Sequence, residues 1–254
     1  MENEYYVKKH YLLQHGCFFS TFYNCETSLF TYSDLIHCFI WNHSVPVSVS
    51  RDQREQYLND VVQFYNSRNR QACVYLDAET TDSEFLTLLN NKGFQCIDNE
   101  AWMLWSKENR QECLNRLTMY VVDDSLIEGF LNVCSSCFEP DYSDAIKRDY
   151  TRKYPNKSFI HFVFYLDSHL VGIGSCYYDK HIAIIHNIGV VDSYRRKGFG
   201  TEIVHAIVQH IEEKICLPDI LLQCDGGGYI EDMYKKIGFK NVYRRFGYVC
   251  KDPD

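Results

Sequence analysis

The stretch Val190-Val191-Asp192-Ser193-Tyr194-Arg195-Arg196-Lys197-Gly198-Phe199-Gly200-Thr201 gathers three cations and two glycines at one place in the chain. Ahead of it, Ile182 to Val191 is apolar and β-branched, the pattern of a buried strand. Behind it, Ile203, Val204, Ile207, Val208 and Ile211 fall at the spacing of one helix face between Thr201 and Lys214. The cations and glycines therefore sit where a strand turns into a helix. The first turn of a helix leaves about four backbone N–H groups without partners, and the helix dipole places roughly half a positive charge there. Gly198 and Gly200 have no Cβ, so an anion can approach the backbone closely. Arg195, Arg196 and Lys197 add charge at the rim. The turn reads as a cradle for a pyrophosphate.

The glycine pattern narrows which pyrophosphate. The nucleotide phosphate loop requires G-x-x-x-x-G-K-[ST], and the sequence has no such run. The dinucleotide fingerprint G-x-G-x-x-G lacks its third glycine, because Thr201, Glu202 and Ile203 follow Gly200. What fits is R-x-x-G-x-G, as Arg195, Gly198 and Gly200, within the longer V-x-x-x-Y-R-x-K-G-x-G that begins at Val190. This resembles the acyl-CoA-binding motif of the GNAT N-acetyltransferase superfamily. The resemblance implies acetyl-CoA as acyl-donor cosubstrate, with the main-chain amides of Arg196, Lys197, Gly198, Phe199, Gly200 and Thr201 holding the pyrophosphate beside Arg195. It also implies that Ile188, Gly189 and Val190 hold the pantetheine arm through their backbone.

Acyl transfer from a thioester to an amine needs a base for the amine proton and a donor for the departing thiolate. His186 stands on the strand that leads into the turn, and strand alternation places it on one side with Ile188 and Val190. A histidine at this offset resembles a base position of serotonin N-acetyltransferase, whereas the Glu common nearby in the superfamily is absent between His181 and Val191. The competing reading is a core histidine bonded to a neighbouring strand. Met233-Tyr234-Lys235-Lys236-Ile237-Gly238-Phe239 resembles the superfamily signature L-Y-x-K-x-G-F, which makes Tyr234 the acid for the sulfur. The competing reading is an apolar-face aromatic in a chain with 20 tyrosines. Gly227, inside Gly226-Gly227-Gly228, stands where the superfamily usually has Asn. A polar contact to the cofactor arm is lost there, and the glycines permit close backbone approach or a mobile loop.

These residues need elements to position them. Strands are expected at Leu117 to Val122, Phe159 to Leu166, Val171 to Tyr177, Ile182 to Val191 and Ile220 to Cys224, then Val242 to Arg245 and Tyr248 to Cys250. Helices are expected from Asp123 to Phe138, ended by Pro140, then over Asp141 to Tyr150, Thr201 to Lys214 and Gly228 to Ile237. That order also resembles the GNAT fold, over Leu117 to about Lys251. The first half reads as a poor helix over Glu4 to Gln14, a hairpin of Thr27 to Tyr32 with Leu35 to Trp41, and a helix over 52–66. A strand at Cys73 to Leu76, a helix over 81–91, Gly93-Phe94 and a strand at Ala101 to Trp105 complete it. Helix 52–66 to Gly93-Phe94 parallels helix 200–213 to Gly238-Phe239, a faint internal repeat.

The expected architecture is α/β (α+β): a mixed, mostly antiparallel central sheet flanked by helices, in two tandem GNAT-like halves. Residues 1–112 form a degenerate half without a cofactor loop, since Ser44 to Glu55 contains no glycine. It is left to shape the acceptor pocket or to bury a strand edge. Residues 113–254 form the acetyltransferase domain.

Composition sets the remaining bounds. Hydrophobic residues at 46% and charged residues at 24% of 254 are those of a globular chain. A net charge of -8 argues against general nucleic-acid binding and suits cationic amines. The 12 scattered cysteines behind a polar N-terminus favour a reduced cytoplasmic setting. No apolar run reaches the ~20 residues of a membrane span. Cys134 and Cys137 have C-x-x-C spacing without a second pair, so no metal is expected. Asp225 reads as a helix cap or an amine-orienting group; Glu139, Asp141 and Asp144 read as a solvated surface or an acidic rim. The partners expected are acetyl-CoA and an amine acceptor, small molecule or protein, with the chain a monomer or homodimer. Gly227 and the degenerate first half motivate an alternative: a non-catalytic acyl-CoA-binding or protein-interaction module.

Overall fold

The computed structural model describes residues 20–79, 81–109, 113–151 and 158–251. The helix expected over Glu4 to Gln14 lies outside them. The first half runs β1 (Thr21–Asn24), β2 (Ser28–Tyr32), β3 (Ser44–Pro46), α1 (Arg54–Asn66), β4 (Cys73–Asp77), α2 (Ser83–Asn91) and β5 (Phe94–Trp105). The second runs β6 (Thr118–Val121), α3 (Ile127–Cys137), α4 (Pro140–Tyr150), β7 (Phe159–Leu166), β8 (His169–Tyr178) and β9 (Ile182–Val190). It closes with α5 (Phe199–His210), β10 (Asp219–Asp225), α6 (Tyr229–Ile237) and β11 (Phe239–Cys250).

Among the described residues all strands join one sheet, in the order β1-β2-β3-β4-β11-β5-β10-β9-β8-β7-β6. The internal repeat is real at this level. β2 and β3 are antiparallel and α1 crosses to β4, parallel to β3. β8 and β9 are antiparallel and α5 crosses to β10, parallel to β9. The last strand of each half is then exchanged: β5 pairs with β10, and β11 pairs with β4. β5 and β11 also pair with each other from Phe94↔Cys250 to Trp105↔Phe239. The two halves are thus stitched along the middle of the sheet.

Helix packing follows the apolar spacing read from the sequence. Ile203, Val204, Ile207 and Val208 of α5 and Tyr234 and Ile237 of α6 bury against Ala101, Met103, Phe164 and Leu222. α3 and α4 cover the other face through Phe130, Val133, Ala145 and Ile146 on Val163, Ile173 and Tyr177. α1 and α2 cover Val74, Leu76 and Phe94.

Several boundaries differ from the sequence reading. Leu35 to Trp41 is not a strand; it folds into a loop ending in a short 3-10 turn at Phe39–Trp41. Asn42 replaces the strand ladder, donating from Nδ2 to the carbonyls of Ile36 at 2.7 Å and Cys38 at 2.9 Å. Ile36 and Trp41 bury against α3 and α4 instead of against a strand. The hairpin is made by β1 and β2. β11 is one strand where two were expected, because the irregularity at Gly247/Tyr248 is a bulge and not a break. β5 begins at Phe94, since β11 pairs its polar stretch from Gln95 to Glu100. Pro140 opens α4 rather than only ending α3.

One buried ion pair crosses the strand exchange. Arg245 of β11 donates from Nε to Oε2 of Glu100 on β5, and Trp102 Nε1 donates to the same oxygen at 3.2 Å. The guanidinium lies 4.0 Å from the Tyr75 ring centroid and 4.9 Å from that of Trp102. Removing one member would strand a buried charge, which typically costs about 3–5 kcal/mol.

Candidate active site

The strand-to-helix turn has the geometry its residues demand. Arg196 and Gly198 both take left-handed backbone angles, with φ of 60° and 86°. Gly198 is the N-cap residue of α5, and no side chain among the described residues caps that end. A turn that alternates hand in this way aims successive N–H groups inward and forms an anion-binding concavity. Arg195 is anchored beside it, donating from Nε to the Val190 carbonyl at 3.0 Å and pairing with Asp192 at 2.8 Å. Arg116, from the connection between the halves, braces the turn from outside. It donates to the Lys197 carbonyl at 2.9 Å, pairs with the buried Glu202 and lies 4.4 Å from the Phe199 ring centroid.

On β9 a single extra residue changes the alternation. His186 pairs with Ser175 and Gly189 pairs with Ile173, so three steps on β9 match two on β8. The bulge centres on Asn187, whose φ of 57° is one that Asn tolerates better than most residues. The expectation that His186, Ile188 and Val190 share one side is therefore corrected. Ala183 and Ile185, before the bulge, face the α5 core, and so do Ile188 and Val190 after it. His186 and Asn187 face α4 instead, against Trp41 and Tyr142.

The His186 ring is held by a buried polar chain. Its Nδ1 lies 2.5 Å from Asn187 Oδ1 and 3.2 Å from the Tyr142 hydroxyl, and that hydroxyl donates to the same Oδ1 at 2.6 Å. Asn187 Nδ2 donates to Ser175 Oγ at 3.2 Å, and His161 Nδ1 lies 2.8 Å from Ser175 Oγ. An amide oxygen only accepts, so Nδ1 of His186 carries the proton and Nε2 the lone pair. Burial holds the His186 imidazole below its usual range, partly opposed by the bond to Asn187. Burial, with His186 nearby, pushes His161 down to about 3. Both rings are neutral at pH 7. Trp41 stacks on Tyr142 with centroids 5.7 Å apart, so the first half braces this chain.

β9 and β10 are paired up to Ile185↔Leu222, and beyond it a cleft of about 1030 Å³ opens. It is lined by His186, Tyr234, Ile188, Gly189, Val190, Arg195, Arg196, Gly198, Gly200 and Thr201, ten of the twelve residues singled out in the sequence. The other two do not line it. The Lys197 ammonium folds back onto the Ser193 carbonyl at 2.8 Å, and the Phe199 side chain is buried beneath Arg116. Tyr234 is buried on α6, and burial raises its phenol well above the usual range, so its hydroxyl stays protonated.

The same cleft takes Phe39, Trp41, Asp98 and Glu100 from the first half, with Tyr142 and Gln223 from the second. Sequence reasoning missed these. The alternation of Tyr142, Ala145, Ile146 and Asp149 on α4 was the one signal that pointed Tyr142 inward. Glu139 and Asp225 also line the cleft. The N-cap of α6 is Gly228, so Asp225 does not cap that helix. Asp141 is engaged elsewhere, accepting from the His37 N–H at 2.6 Å. Of the cysteine pair, Cys134 is buried with its thiol pushed up to about 12, while Cys137 lines the cleft.

The triple glycine is tied down. Asn99 Nδ2 donates to the Gly226 carbonyl at 3.0 Å, and the Gly227 N–H donates to Glu231 at 2.5 Å. A Cβ at Gly226 would come within 2.1 Å of Arg244 and 2.6 Å of Asn99. The space over Gly226 is taken by the Arg244 guanidinium and the Asn99 amide, whose side-chain ends would have to move for any larger residue.

Residues 127–239 match the family model described as acetyltransferase (GNAT) family. The match lies within the second half of the chain, and the first half repeats the same crossover of antiparallel strands, helix and parallel strand. A GCN5-related N-acetyltransferase from Kribbella flavida is similar over 92% of this chain and 91% of its own, with TM-score 0.69 and 13% identity. One from Sphaerobacter thermophilus is similar over 90% and 82%, with TM-score 0.65 and 11% identity. A tandem GNAT protein from the clavulanic acid biosynthesis pathway is similar over 89% and 79%, with TM-score 0.57 and 10% identity. At these identities the likeness is one of fold. No curated protein matches the sequence. No helix among the described residues is long and apolar enough to cross a membrane.

Proposed function

We propose that the chain is an acyl-CoA-dependent N-acetyltransferase that moves an acetyl group from acetyl-CoA to a primary amine by direct attack in a ternary complex. The observation that carries the proposal is the position of His186. Its neutral imidazole, held on Nδ1 by Asn187 and Tyr142, stands where β9 and β10 part, in the same cleft as the uncapped left-handed turn. The division proposed is 1–112 for the half without a cofactor loop and 113–254 for the acetyltransferase domain, with β5 and β11 exchanged between them.

The amides from Arg196 to Thr201, with the Arg195 and Arg196 side chains near, bind the pyrophosphate. Ile188, Gly189 and Val190 offer backbone to the pantetheine arm along the opened edge of β9. His186 Nε2 removes the amine proton, directly or through one water. The amine nitrogen bonds to the thioester carbon as the carbon–sulfur bond breaks. The Tyr234 hydroxyl, kept protonated by burial, donates to the departing sulfur. The reaction uses no metal in this scheme, and its setting is cytoplasmic.

The test is release of free thiol from acetyl-CoA with a panel of primary amines. Acetylated product with wild type and a large loss in His186→Gln support the proposal. Unchanged turnover in that variant would remove the base assignment. Binding of acetyl-CoA with no acetylation of any amine would favour a non-catalytic module, the reading that Gly227 motivates.

A further inference from the structure

The lining of the cleft is of two chemical kinds. The phosphate turn supplies Arg195 and Arg196, and the first half supplies Glu100, Asp98, Trp41 and Phe39. Glu100 is 2% exposed and lines the cleft. Its Oε2 takes both hydrogen bonds, from Arg245 and Trp102, and its Oε1 is buried with no partner. Gln223, on the neighbouring strand and also lining the cleft, has a buried Oε1 with no partner. A carboxylate oxygen left unpaired in a buried site is costly, and only a donor can satisfy it.

The local charge points the same way. Asp98 lies two residues along β5 from Glu100 and accepts from the Tyr75 hydroxyl. Arg245 is the one cation paired with Glu100, and burial beside Arg245 keeps the adjacent His43 neutral. Burial raises the Glu100 carboxyl above its usual range against the pull of Arg245, so a cation at Oε1 would offset the cost of holding its charge there.

We propose that the part of the cleft lined by Glu100 and Gln223 is a subsite for a second cationic nitrogen of the acceptor, held by Glu100 Oε1 and Gln223 Oε1, so that the preferred acceptor is a compact diamine. The inference rests on the N-acetyltransferase reading for the word acceptor, but the subsite is measurable as binding alone. The first amine sits at His186, on β9, and the second at Glu100, on β5, with β10 between the two strands.

The experiment is calorimetric titration of the full chain, saturated with coenzyme A, with diaminobutane, diaminopentane and butylamine. Wild type is expected to bind at least one diamine about tenfold or more tighter than butylamine. Glu100→Gln, with its pairing to Arg245 weakened, should reduce that preference to about threefold or less. Gln223→Leu leaves the ion pair alone and should reduce the preference with coenzyme A affinity unchanged, which guards against a simple folding defect. Equal affinity for diamines and butylamine in wild type, no diamine binding, or a preference that survives both substitutions would overturn the subsite. Turnover is read separately. Diamine preference without acetyl transfer leaves the subsite standing and removes the enzyme reading; acetyl transfer without preference does the reverse.

Discussion

The chain contains the same crossover twice, β3 to α1 and β9 to α5, and the two ends are finished in opposite ways. Before α1, Ser50 and Gln53 form a reciprocal capping box, and Ser50 Oγ also donates to Asp52 at 2.6 Å. The orphan donors are satisfied by the chain itself, and Asp52 and Glu55 make the end acidic. Before α5 there is no side-chain cap among the described residues, two residues are left-handed, and three cations stand in sequence. One crossover answers its own helix end; the other leaves it open, which on the proposed reading is for an anion. On the proposed reading, the second half binds the donor and the first half walls the acceptor space with Trp41 and Glu100.

The largest effect that would break this division of labour is on chemistry. His186→Gln should lower kcat by about a hundredfold to a thousandfold with little change in acetyl-CoA affinity. In wild type, the acid limb of the rate profile belonging to His186 should lie below about pH 6.5, since burial disfavours the imidazolium. A limb above that value would show that another group is the base.

Next comes the turn. Gly198→Val places a β-branched residue at φ 86° and closes the approach to the amides. Coenzyme A affinity should fall about a hundredfold, or ~2.7 kcal/mol, by calorimetry, with kcat at saturation changed far less. The Tyr142 relay should give a smaller, more specific effect. Tyr142→Phe should cost about tenfold in kcat and leave coenzyme A binding alone. In the nitrogen-15 spectrum of His186, the variant should show a mixture of tautomers where wild type shows protonated Nδ1. A lone Nδ1-protonated form in the variant would assign the positioning to Asn187 alone. Smallest is the other crossover: Ser50→Ala should cost about 1 kcal/mol of stability and leave acetyl-CoA kinetics untouched.

Much of the donor side was legible because it is local. A β-branched run, a glycine-and-cation turn and a helical stripe lie in continuous sequence from Ile182 to Lys214, and the structure keeps them in that order. The helix continues past α5 as a π turn over Ile211–Ile215, so even its extent was readable. The acceptor side was not legible, for three physical reasons. A one-residue bulge at Asn187 reverses the phase of every side chain beyond it, and no composition signal marks it. The Leu35 to Trp41 run has strand composition, but Asn42 supplies its backbone bonds and turns it into a wall of the cleft. The exchange of β5 and β11 joins Glu100 to Arg245 across the length of the chain, a pairing that local pattern cannot encode.

The most direct test of the account compares the two crossovers in one molecule. Amide hydrogen exchange with and without coenzyme A should show slowed exchange from Arg196 to Thr201 and none from Ser50 to Glu55, with one coenzyme A bound per chain. Protection at Ser50 to Glu55, or no change at either crossover while coenzyme A binds, would contradict it.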